Sequence, residues 1–371
     1  MNLTKTFAKS IVATAVMSVS MAASAAVLTS IKPLGFIASS IADGVTSTDV
    51  LVPKGASPHD YSLKPSDVQK IKSAELILWI GEDVDMFLDT SVLRDVDRKK
   101  VITITEMSEI SDDMLHKGEH HHHHDGDDDD HDHAHKHDHD DEHDHDHAHK
   151  HDHDDDHDHD HAHKHNHDDD HDHDHAHKHD HDDDHADKHD HGHEHHNHQG
   201  LSTNWHVWYS PDIAGLVAKK VAVRLSEIYP EKKTLIEKNL AEFNRTLDDV
   251  DDKIEKQLKP VEKKGFYVFH DAYTYFNEEY DLNQVGYFTI NPLVAPGAKT
   301  LAKIKHEIKE HKVQCLFAEP QFTPKVIEGL KKATGVKVGT LDPMGDAVKL
   351  GKNSYANFLQ YTADSYLKCL K

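Results

Sequence analysis

Five of the 41 histidines in this 371-residue chain stand outside one histidine-dense stretch, and three of the five occupy similar places. His59 lies in the loop GASPHDYS behind the strand-like DVLVP. His206 lies in NWHVWYSP, just ahead of a helix start, and His270 closes the strand-like GFYVF. Two carboxylates are placed the same way, Glu319 after VQCLF and Asp342 after VKVGTL. In open α/β sheets, ligands collect outside the carboxyl ends of strands, so these side chains have a route to one cleft. Three neutral imidazoles completed by a carboxylate or a water form a zinc-like set, whereas an oxygen-rich set suits manganese better. Asp342 is the first candidate for a fourth donor and Glu319 the second. The competing reading stays open on residues alone. A strand-end histidine taken singly is more often structural than a ligand, no H-E-x-x-H signature is present, and spacing does not join residues so far apart in sequence. Trp205, Trp208, Tyr61 and Tyr273 read as packing residues able to line and dry a cleft. His306 and His311, on an amphipathic pattern with Lys and Glu, read as solvated surface.

The other 36 histidines lie between His116 and His198, together with 31 Asp and Glu and six Lys, a net of −25 out of the chain's formal −26. The unit HDHDHAHKHDHDDD at 143–156 returns at 157–170, with one Asn for Asp, and again at 171–184. A stacked repeat needs an apolar face, and this unit has none. Residues 116–198 are therefore expected to be a disordered insertion, unable to offset the entropy of ordering. Alternating imidazole and carboxylate in such a chain offers many weak, rearrangeable cation sites, which give up metal as pH drops toward about 5.5. The alternative is an inert solvated spacer. The remainder of the chain is nearly neutral, so the overall acidity says little about its partners.

Around these residues the pattern alternates strand and helix. AVLTSI, TDVLVP, ELILWIG and KKVITIT read as strands; Leu34 to Ala42, KPSDVQKIKSA and DVDMFLDTSVL read as helices. That alternation implies a mostly parallel sheet with helices on its faces. After the insertion, Ser210 and Pro211 form an N-cap and N1 pair. About thirty residues of helical periodicity follow before Pro260. A second α/β set begins at GFYVFHDA. The expected architecture is two Rossmann-like α/β lobes joined by one long rigid helix. The N-terminal lobe takes residues 26–115 and 199–230, the linker helix 231–264, and the C-terminal lobe 265–371. Residues 1–25 read as a secretory signal peptide: Lys5 and Lys9, a short apolar core, then Ala23-Ser24-Ala25. A periplasmic protein is the simplest expectation. Its only two cysteines, Cys315 and Cys369, then suggest one disulfide in an oxidising compartment.

GASPHDYSLKPSD, HVWYSP, VFHDAY, CLFAEPQF and GTLDPMG, in this order, resemble the zinc-binding solute receptors (ZnuA type) of bacterial ABC importers, within the wider cluster of metal-binding receptors. The resemblance runs from Val27 to the end and includes a His/Asp-rich insertion. It implies two lobes bridged by a rigid helix and a zinc site at His59, His206 and His270. Manganese-type relatives carry Glu where His270 stands. Asp342 matches the carboxylate that many relatives use as fourth ligand, while others use water. Some zinc receptors have an acidic residue just before the first histidine; here it is Pro58. The resemblance also accommodates the Cys315–Cys369 disulfide. It implies a non-enzymatic receptor that passes Zn²⁺ to an integral-membrane permease, with the insertion gathering zinc, as a monomer and with no nucleic-acid partner. Two rivals remain: an exported zinc-dependent hydrolase, and a periplasmic zinc buffer acting through the insertion alone.

Overall fold

The computed structural model describes residues 26–117, 203–289, 291–322 and 325–371. The signal peptide and nearly all of the His/Asp-rich insertion expected from sequence lie outside the described residues.

The first lobe alternates β1 (Val27–Thr29), α1 (Lys32–Ile41), β2 (Thr48–Val50), α2 (Pro65–Ser73), β3 (Leu76–Trp79), α3 (Thr90–Leu93) and β4 (Val101–Thr103). Helix α4 (Pro211–Ile228) completes it and α5 (Lys233–Leu258) follows. The second lobe runs β5 (Phe266–His270), α6 (Thr274–Glu279), β6 (Gln284–Thr289), α7 (Ala298–Lys309), β7 (Cys315–Ala318), α8 (Lys325–Thr334), β8 (Lys337–Thr340) and α9 (Ser354–Leu370). The two four-stranded sheets share one order, β2-β1-β3-β4 and β6-β5-β7-β8, and all their pairings are parallel. In each, the chain steps to one side of the first strand and then crosses to the other. The crevice beyond the carboxyl end of that first strand is where such sheets take ligands. β3 is apolar at every position and buried throughout, as a central parallel strand covered on both faces must be.

Local chemistry sets the boundaries. Ser210 Oγ accepts from the Ile213 N–H at 3.3 Å and Pro211 opens α4, as the sequence indicates. Asp67 accepts from the Lys64 N–H at 2.9 Å at the start of α2. The stretch 83–93, expected as one helix, is instead a turn, a 3-10 segment Met86–Leu88 and the short α3. Asp85 causes the break. Its buried carboxylate accepts from Ser30 Oγ (2.6 Å) and the Ile80 N–H (2.8 Å), which folds the segment back onto the strand ends.

The long helix is present, with Ile236, Asn239, Phe243, Leu247, Val250, Ile254 and Leu258 as its buried seam. These recur every three or four residues, one stripe of a helix about 39 Å long at 1.5 Å per residue. It is not the sole tie between lobes. From the second lobe, α9 reaches back to α1: Phe36 and Phe358 rings lie 5.2 Å apart, and Ser354 Oγ donates to the Phe36 carbonyl at 3.0 Å. Tyr355 of α9 also donates to the Trp208 carbonyl at 2.9 Å. One hydrophobic core thus contains residues of both lobes. The periodicity of 354–370 announces a helix, but it does not say which lobe that helix covers. The expected disulfide joins Cys315 on β7 to Cys369 on α9, with Cα atoms 6.1 Å apart. Among the described residues no helix is long and apolar enough to cross a membrane.

Candidate metal centre

His59 sits in a tight turn, Pro58–Asp60, whose start is held by Ser57 Oγ accepting from the His59 N–H at 3.3 Å. His206 immediately precedes a second turn, Val207–Tyr209, whose residues are all buried. His270 ends β5 and is buried. These three elements, distant in sequence, bring the imidazoles together. Ring centroids are 5.7 Å (His59–His206), 5.6 Å (His59–His270) and 5.2 Å (His206–His270) apart. One nitrogen from each lies within 4.8 Å of the other two. Two nitrogens bonded to a single zinc at about 2.1 Å are at most about 4.2 Å apart, so a contraction of an ångström or so lets all three share an ion.

The outer nitrogens are committed elsewhere. Parallel pairing sets Phe266 opposite Cys315 and Tyr267 opposite Leu316, and the same offset carries His270 opposite Glu319. His270 Nδ1 accordingly donates to Glu319 Oε1 at 2.7 Å, in a buried pair. His206 Nδ1 donates to Asn204 Oδ1 at 2.7 Å. In both rings the proton on Nδ1 leaves the Nε2 lone pair for the interior of the cluster, the arrangement that outer partners give to metal-binding histidines. His206 Nε2 is buried and has no hydrogen-bond partner. A buried acceptor left this way costs about 1–3 kcal/mol unless something takes its lone pair. A borderline-soft divalent cation suits such a nitrogen set, so the residues fit zinc.

Burial keeps the His59 and His206 rings neutral. The His59 pKa is lowered to about 4 by desolvation first and then by His270. The His206 pKa is lowered well below the ordinary imidazole value, by desolvation and then by His270 and His59. The walls include Ser57, Pro58, Trp208, Gln321, Phe322 and Met344, and the free space they enclose is about one water in size. Trp208, stacked edge-on at 5.0 Å from His206, and Tyr273 are fully buried; Trp205 and Tyr61 are partly so.

The two candidate carboxylates take different places. Glu319 stands behind His270 rather than among the inward-facing nitrogens. Asp342 Oδ1 accepts from Gln321 Nε2 (2.8 Å) and the Met344 N–H (3.1 Å), while Oδ2 accepts from the Asp346 N–H (2.7 Å). Both its oxygens are engaged, and it is not in the three-nitrogen cluster. His306 is exposed on α7 and ion-paired with Glu310, and His311 lies beyond the end of that helix, as surface residues. Asn204 is the residue that sequence reasoning overlooked. An Asx side chain bonding its own backbone two residues on is a recognised local pattern, so N-W-H carried the signal.

Comparison with known proteins gives the family of the chain. The family described as "Zinc-uptake complex component A periplasmic" matches residues 27–369. A high-affinity zinc uptake system protein ZnuA of Haemophilus influenzae is 63% identical over 361 residues, covering 97% of each chain. The protein of that name in Yersinia pestis is 38% identical, over 94% of this chain and 92% of its own. Among solved structures, a ZnuA crystal structure superposes with a TM-score of 0.63 at 20% identity, covering 93% of this chain and 98% of that one. The periplasmic zinc-binding protein TroA of Treponema pallidum gives 0.62 at 17%, with the same coverage. At those identities the structures show the shared two-lobe fold. The match to nearly the whole described chain, together with the extent and identity of the curated relatives, places the chain in the zinc-uptake complex component A family.

Proposed function

We propose that this chain is the extracytoplasmic zinc receptor of an ABC importer. It binds one Zn²⁺ through the Nε2 atoms of His206 and His270 and a ring nitrogen of His59, and delivers it to a membrane permease without catalysing a reaction. The observation that carries this reading is the buried, partnerless Nε2 of His206 facing two other imidazoles in a space the size of one water. The relatives named as zinc uptake proteins and the periplasmic family description support it. Asp342 lies outside the three-nitrogen cluster, so a water is assigned the fourth position. An open hydrolytic zinc site needs room for a substrate and a free general base. Here the space beside the three rings is about one water in size, and Glu319 Oε1 accepts from the His270 ring.

The chain acts as a monomer, exported by its signal peptide and matured by its removal. The His/Asp-rich stretch gathers zinc at low affinity and raises its supply to the histidine cluster. Lys117 and Thr203 pair as an antiparallel bridge, so a short turn can replace everything between them. Zinc titration against a strong competing chelator tests the division of labour. The shortened chain keeps one tight equivalent and loses the weak ones. His270→Ala in the full chain keeps the weak ones and loses the tight one. A shortened chain with unchanged stoichiometry removes the gathering role, and a tight equivalent surviving in His270→Ala removes the site.

A further inference from the structure

Asn204 lies at a junction that a zinc site of three histidines does not require. Its Oδ1 accepts from the backbone N–H of His206 (3.1 Å) as well as from the ring Nδ1. Its Nδ2 donates to the carbonyl of Asp271 at 2.9 Å and to Asp271 Oδ2 at 3.3 Å. The amide can face only one way. Acceptors alone surround its nitrogen end, and a backbone N–H points at its oxygen end. His206 Nδ1 must therefore carry the proton, because a bare lone pair there would oppose Oδ1. The backbone of Asn204 is held equally firmly. Its N–H donates to the His116 carbonyl (2.8 Å), and its own carbonyl accepts from the Tyr275 hydroxyl (2.7 Å). The residue is 8% exposed.

Asp271 is the neighbour of His270, and it is itself held within the second lobe by Thr274 Oγ1 at 2.7 Å. Tyr275 belongs to α6 of the same lobe. Asn204 therefore spans from the residue beside one inward-facing histidine to the ring of another. A side chain that both orients a metal-binding imidazole and bolts it to the opposite lobe makes the donor's readiness depend on how the lobes meet. We propose that Asn204 is a positioning residue for zinc: it fixes the His206 proton on Nδ1, and it sets the His206–His270 separation through Asp271. The proposal rests on His206 being a zinc ligand. Without the Asp271 contacts, only the His206 N–H and ring would hold the amide, and the imidazole would be less firmly aimed.

Two substitutions in the full chain separate the two roles. Asn204→Ala removes both; Asn204→Asp keeps an acceptor for Nδ1 but sets a second oxygen against the Asp271 carbonyl. The readouts are release of the slowest-leaving zinc equivalent into excess chelator, and the ¹⁵N shifts of His206 in metal-free protein, picked out by difference from His206→Ala. Asn204→Ala is expected to speed release by about 10- to 100-fold, the range for outer-partner loss, and to average the two ring nitrogens of His206. Asn204→Asp is expected to retain the Nδ1 proton yet still release zinc several-fold faster. A general loss of stability would leave the ¹⁵N pattern unaltered and treat both variants alike. An unaltered His206 pattern or wild-type release in Asn204→Ala overturns the proposal; wild-type release in Asn204→Asp overturns its lobe-spanning half. A slow equivalent that survives His206→Ala defeats the zinc-ligand reading itself, whatever Asn204 does.

Discussion

Burial fixes the protonation of two donors, His59 and His206, before any ion arrives. His59 titrates at about 4 and His206 well below its ordinary value, desolvation being the largest cause for both. At neutral pH neither ring is an imidazolium, so zinc displaces no proton at these positions. The same shift has a stability consequence with a definite sign. Unfolded, these imidazoles take up a proton near pH 6.5; folded, His59 does so only near pH 4. Between those values the unfolded chain binds more protons, so stability falls as pH drops through that window and is unaffected above it. Urea unfolding of the metal-free protein at pH 7.5, 6.0 and 5.0 should show the decline. His59→Gln should recover about 2 kcal/mol of it at pH 5. If the variant follows the wild-type slope, His59 is not the source.

Among the elements, α5 does more than span. Asn239, buried in its seam, donates through Nδ2 to the carbonyls of Ile41 (2.9 Å) and Asp43 (2.8 Å), at and just past the end of α1. Helix ends leave carbonyls without intrahelical partners, and here another helix supplies the donor. Asn239→Ala strands those acceptors in the interior and is expected to cost about 1–3 kcal/mol in urea unfolding, with the tight zinc equivalent intact. Loss of zinc together with stability would mean that α5 transmits strain to the cluster. The polar position in this seam was written in the sequence as a break in an apolar stripe, but its partners were not, because both lie nearly 200 residues earlier. The same limit applies elsewhere. Strand ends and the S-P start of α4 were legible, since local chemistry specifies them. The Asp85 turn was not, because its cause is a bond to Ser30. Nor was the role of Glu319, which follows from the register of β5 on β7.

On the scale of the molecule, the disulfide and α9 share one task. Cys369 lies one residue from the end of α9, and Cys315 begins β7, the strand that leads to Glu319. Since α9 also packs on α1, it is held to the second lobe by a covalent bond and to the first by Phe358, Ser354 and Tyr355. Closing a loop of 54 residues restricts the unfolded chain and is worth about 4 kcal/mol on the entropic account. The Glu319–His270 pair, by contrast, depends on the hydrogen-bonded register of β5 with β7, which the disulfide does not create. Replacing both cysteines by alanine should therefore lower urea stability by about 2–4 kcal/mol and leave the tight zinc equivalent in place. Zinc should then return part of the loss, because an ion that binds only the folded chain stabilises it in proportion to the logarithm of its concentration over its dissociation constant. A double variant that folds but binds no zinc tightly would place the disulfide, and not sheet register, in control of His270.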